Sequence, residues 1–73
     1  MTPMQRDILW MLEEAGEENT PAIRATLHHP DELEFEREVN GLERLGFMYR
    51  SLRSGSELPS LVLTSEGRHA RTT

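Results

Sequence analysis

The sequence predicts an α+β domain in which three helices are followed by a two-stranded β-hairpin and a short C-terminal helical turn. Two observations carry this. Over residues 2–45, hydroxyl or acidic cap residues precede apolar runs at helical spacing, and from residue 47 the pattern changes to alternation on either side of a Ser-Gly-Ser turn. The length, 73 residues with no internal repeat or linker, suits one domain.

Thr2-Pro3-Met4-Gln5 reads as a capping box, with Pro3 where no backbone donor is needed, and opens a helix over 3–15. Met4, Ile8, Met11, Leu12 and Ala15 form its apolar stripe, and Gly16 supplies the left-handed residue that ends it. Thr20-Pro21 repeats the hydroxyl-before-proline start, and Ile23 and Leu27 mark the buried side of a short second helix ending near His28. Pro30 forbids continuation. Asp31 and Glu34 can form a second box, opening a third helix over 31–45 whose stripe is Leu33 or Phe35, then Val39, Leu42 and Leu45, with Gly46 closing it. Residues 47–52 alternate as a strand, Ser54-Gly55-Ser56 is a turn, and Leu61-Val62-Leu63 forms a second strand behind Pro59, so the hairpin spans 47–64. Thr64 then caps one turn through Arg68, giving a domain over 1–70 and a tail, 71–73, that is expected to fray.

The apolar share is 36%, with one tryptophan, one tyrosine and two phenylalanines, which implies a thin core that a dimer would help. The absence of cysteine excludes disulfides, thiolate chemistry and cysteine zinc sites, and points to a cytoplasmic setting. The first residues carry acidic charge within two turns and no long apolar run, so neither a signal peptide nor a membrane span is expected.

Net charge is −5, from 13 acids and 8 basic residues, and every basic residue is an arginine. An acidic, lysine-free chain fits GC-rich coding or a halophilic setting of molar salt, as in an archaeon or its virus, where self-repulsion is screened within about 3 Å. The charge is uneven. Residues 1–46 hold eleven acids against four arginines, net −7, whereas residues 47–73 hold four arginines against two acids, net +2. A nucleic acid would meet least repulsion from the C-terminal third.

The order of elements resembles the winged helix-turn-helix transcription regulators, and two strings sharpen the likeness. VNGLERLGFMYR (39–50) is similar to the end of the recognition helix in regulators of the PadR and MarR type, where the glycine turns the chain into the wing. LVLTSEGR (61–68) is similar to the L-T-x-x-G-R that leaves the second wing strand in those families. The opening QRDILWMLEE also looks like the first helix of PadR-type and haloarchaeal winged-helix proteins, so the resemblance covers nearly the whole chain. It implies a DNA-binding regulator, although fold alone leaves function open. Two departures stand out. The third helix opens Asp31-Glu32-Leu33-Glu34-Phe35-Glu36, acids where a DNA-reading helix usually carries Ser, Thr, Arg or Lys, and these 73 residues are not expected to form the long dimerising C-terminal helix of PadR-type proteins.

Arg37, Asn40, Gly41 and Arg44 lie three to four residues apart, opposite Val39 and Leu42, and arginine and asparagine suit guanine and adenine edges. Alternatively, Arg37 and Arg44 pair with Glu34, Glu38 or other helix neighbours on a solvated face. Arg50 and Arg53 on the hairpin can reach phosphate or a minor groove, or can simply protect an edge strand. Thr20, Arg24 and the N–H groups opening the second helix form a candidate phosphate site, although a capping threonine is needed for stability in any case. His28, His29 and Asp31 do not make a metal site, because adjacent histidines point apart and no further ligand lies nearby. The glutamates from Glu32 to Glu38 include no nucleophile with a base, so no enzyme activity and no cofactor are expected. Trp10 faces away from the stripe of the first helix and suits a homodimer contact, or else lies under the C-terminal turn or the wing.

The leading expectation is a sequence-specific, repressor-like regulator that binds operator DNA as a homodimer, with helix 31–45 in the major groove and hairpin 47–64 on the backbone. The alternative keeps the fold and uses the acidic third helix to bind a basic protein surface, as an interaction module or nucleic-acid mimic.

Overall fold

The first helix, α1 (Pro3–Ala15), begins and ends on side-chain chemistry that its sequence announces. The Thr2 hydroxyl accepts from the Gln5 N–H at 3.1 Å, and Gln5 Oε1 accepts from the Thr2 N–H at 3.1 Å, so the box is closed in both directions. Gly16 ends the helix at φ +85°, donating its N–H to the Leu12 carbonyl at 2.7 Å. The computed structural model describes residues 1–52 and 58–72, with side chains through residue 70. The buried face of α1 is centred on Ile8, Leu9 and Leu12, with Met4 and Met11 packed against the core. Leu9, absent from the expected stripe, is buried, while Ala15, included in it, is exposed. The reason is coverage: α1 is packed by α3, by α4 and by the sheet, which widens its buried arc beyond a single stripe.

Residues Glu17–Asn19 form a strand, β1, that the sequence reading does not contain. Asn19, rather than the expected Thr20, caps the next helix, α2 (Thr20–Thr26), its side chain accepting from the Ala22 N–H at 2.9 Å. Moving the cap back one residue leaves Pro21 within the first turn, where its missing donor still costs nothing. The turn after α2 places His28 at φ 65° and His29 at φ 52°, a left-handed pair that costs roughly 1–2 kcal/mol per residue in chains of L-residues. Arg24 holds this turn by donating Nε and Nη2 to the Pro30 carbonyl at 3.2 and 2.8 Å.

Helix α3 (Glu32–Arg44) is capped by Asp31, which accepts from the Glu34 N–H at 3.1 Å. Glu32 and Glu34 in its first turn and Arg44 in its last complement the helix dipole. Phe35, Val39 and Leu42 are its buried residues, and Leu33 is 77% exposed, which decides between the two candidates for the first stripe position. Leu45, expected in the stripe, is also exposed, because it lies past the helix end where the chain turns into Gly46 at φ +80°.

Strands β2 (Met48–Ser51) and β3 (Ser60–Leu63) pair antiparallel, with Met48 opposite Leu63 and Arg50 opposite Leu61. The turn at Gly55 lies outside the described residues. The far edge of β3 pairs with β1, giving the order β1-β3-β2 among the described residues. Glu-Glu-Asn carries neither alternation nor β-branched residues, so β1 exists because β3 offers it an edge, which no local pattern could announce. Helix α4 (Ser65–Thr72) runs beyond Arg68, where the sequence reading stops it, because it packs along α1 with Ala70 half-buried.

The two strings that carry the regulator resemblance meet in space. The Thr64 hydroxyl donates to the Gly46 carbonyl at 2.6 Å and accepts from the Gly67 N–H at 3.0 Å, and the Thr64 N–H donates to the Phe47 carbonyl at 3.1 Å. A Cβ on Gly67 would fall 1.9 Å from the Phe47 carbonyl oxygen, so only glycine fits. Leu-Gly-Phe and Leu-Thr-Ser-Glu-Gly are thus two halves of one joint that fixes the root of the hairpin against the end of α3.

Candidate nucleic-acid interface

With Phe35, Val39 and Leu42 turned inward, α3 presents Leu33, Arg37, Asn40 and Arg44 outward, all exposed. The side of α3 nearest α1 is tied down by that helix. Gln5, 8% exposed, donates Nε2 to the Glu38 carbonyl at 3.4 Å, and the Thr2 hydroxyl donates to the Glu38 carboxylate. Gly41 lies on this side: a Cβ there would come 2.9 Å from Gln5 Nε2, so the glycine permits close approach of α1 as well as leaving room outside. Gln5, Leu33, Glu36, Arg37, Glu38, Asn40, Gly41 and Arg44 line one open groove of about 600 Å³.

The opposite flank of α3 is held by the hairpin. Arg50 stands on β2 facing α3 and donates Nη2 to Asn40 Oδ1 at 2.6 Å and to Glu36 Oε2 at 3.2 Å, with Nε 3.4 Å from Glu43 Oε1. Arg50 therefore lies along the helix instead of reaching away from the hairpin toward phosphate. The three side chains are 30–45% exposed, so each ion pair is solvent-screened and adds well under about 1 kcal/mol; the cluster orients more than it stabilises. Sequence reasoning missed it, although Glu36, Asn40 and Glu43 share a face by spacing; the partner that makes the spacing meaningful comes from another element.

Among the described residues neither Arg37 nor Arg44 forms an ion pair, so the expected pairing with Glu34 or Glu38 is not what occupies them. The structure brings Arg37, Asn40, Gly41, Arg44 and Arg50 together on α3 and its flanks. Arg24 is instead committed to the Pro30 carbonyl, and Thr20 is the first residue of α2 rather than its cap. Arg53 lies outside the described residues. Trp10 is 51% exposed and borders a hollow of about 290 Å³ with Asp7, Met11, Thr26, Leu27 and His28, so the end of α2 and the turn after it lie beside it. No group of three or more His, Asp or Glu among the described residues is placed to hold a metal ion, and no described helix is long and apolar enough to cross a membrane.

Helix-turn-helix, hairpin and the joint between them define the winged-helix fold. Comparison with solved structures bears this out: the chain is similar to a probable transcriptional regulator from Pseudomonas aeruginosa, with a TM-score of 0.84 and 23% identity, over 99% of this chain and 54% of that one. It thus spans about half the length of that regulator. No family model matches the chain, and no curated protein does.

Proposed function

We propose that the chain is a DNA-binding transcriptional regulator of the PadR or MarR kind, acting by binding and not by catalysis, in the cytoplasm, as a repressor-like homodimer. Helix α3 enters the major groove and the hairpin rests on the backbone. The observation that carries this is the outer ridge of α3, where Arg37 and Arg44 are exposed without ion pairs on either side of Asn40. The acids that argue against DNA are partly accounted for: Asp31 caps α3, Glu32 and Glu34 favour its N-terminal dipole, and Glu36 and Glu43 are engaged by Arg50. Likeness to the Pseudomonas aeruginosa protein supports a regulatory role by analogy of fold. Trp10, half exposed on α1, is the proposed homodimer contact.

A fluorescence-anisotropy titration against the duplex upstream of its own gene, at several salt concentrations, tests the reading. Saturable binding whose affinity falls as salt rises is expected. A second reading, capture of a basic protein surface by α3, draws on exposed Leu33 among exposed Asp31, Glu32 and Glu34, and gains if the titration shows no affinity even at low salt.

A further inference from the structure

We infer that Arg50 presets Asn40 as a hydrogen-bond donor, so that the pair reads the accepting edge of guanine and not the mixed edge of adenine; this rests on the DNA-binding reading above. A guanidinium carries only donors, so the amide atom 2.6 Å from Arg50 Nη2 must be the Asn40 oxygen. The amide is therefore held with its oxygen on Arg50 and its NH₂ group on the other branch. An asparagine reads adenine by accepting from N6 while donating to N7, which requires the oxygen and the nitrogen side by side at the base. Here the oxygen is turned to Arg50. Guanine offers N7 and O6, both acceptors, and matches the donors of the Asn40 NH₂ group and the Arg50 guanidinium.

Two features hold the arrangement. Glu36 and Glu43, one turn before and one turn after Asn40, brace the guanidinium from both ends of the cluster. The strand that carries Arg50 is fixed in turn by its register with Leu61, which is fully buried. Glu36 and Glu43 are thereby positioning residues: they act on the base through Arg50 and Asn40, and Arg50 offsets one of their two negative charges.

Selection from a randomised duplex library, followed by affinities for the selected site with each base at the position that Asn40 governs, tests the inference. Wild type should select guanine there, Asn40→Ala should reduce that preference by about fivefold, and Asn40→Asp should move it to a base offering a donor, cytosine or adenine. Arg50→Met releases the amide, so the preference should shift from guanine toward adenine while the flanking positions keep theirs. Asn40 is exposed, and thermal melts establish that each variant is folded. Selection of adenine by wild type, or an unchanged preference in Asn40→Ala or Arg50→Met, would overturn this inference and leave the regulator reading standing. Absence of binding to every duplex would overturn both.

Discussion

Gly67 shows how much a single residue carries in this chain. Its missing side chain lets the first turn of α4 sit on the Phe47 carbonyl, and the clash that a Cβ would make is with backbone, which cannot swing aside. Gly67→Ala should therefore lower stability by about 1–3 kcal/mol, read as a lower urea midpoint at unchanged slope. For a chain of this size, with a total stability of roughly 4–11 kcal/mol, that is a large share. An unchanged midpoint would mean that the joint tolerates movement. The glycine and the threonine of this joint are legible in the sequence as a string, but their reason is not, because the contact partner lies twenty residues away at Phe47. Residue-scale reading succeeded where the chemistry is local, as with Thr2, Gln5, Gly16 and Asp31, all of which act within a few positions. It did not foresee Asn19 as the cap of α2 or the bonds from Arg24 to the Pro30 carbonyl, which depend on where neighbouring turns place a backbone N–H or carbonyl.

At the scale of elements, α3 separates burial from mere apolarity. Leu33 and Phe35 both fit the helical period when read alone, yet one is 77% exposed and the other 1%. Phe35→Ala should cost about 3–5 kcal/mol, a large share of the total stability, whereas Leu33→Ala should stay within about 0.5 kcal/mol of wild type. Paired urea titrations check this, and equal losses would contradict the packing described. Helices α1 and α3 and the hairpin strands were legible because caps, glycine stops and period agree with one another. Strand β1 and the length of α4 were not, since each is formed against a distant element: β1 on the edge of β3, α4 along α1. The Arg50 cluster has the same character, with its acids and amide on α3 and its cation on β2.

The whole molecule is governed by charge. Its net −5 is spread over few residues, and Arg50 answers two of its acids, Glu36 and Glu43, with one positive charge. Screening should relieve more repulsion than it removes attraction, so Tm should rise markedly between dilute buffer and about 2 M KCl; a flat Tm would speak against adaptation to salt. Assembly is a separate question, answered by sedimentation. Wild type is expected as a dimer and Trp10→Ala as a monomer, and an unchanged association state in the variant would return Trp10 to packing beside α2. The claim on which the account turns is that the outer ridge of α3 reads DNA. The most direct measurement is the ratio of affinities for the upstream duplex and for random duplex, in one salt, for wild type and for Arg37→Ala. Arg37 lies one turn before Asn40 and is exposed without an ion pair, so its bidentate contact to a base should contribute about 1–3 kcal/mol of discrimination. The account predicts a clear preference in wild type that narrows by that amount in Arg37→Ala. A wild type with no preference, or a variant that weakens both duplexes equally, would contradict it.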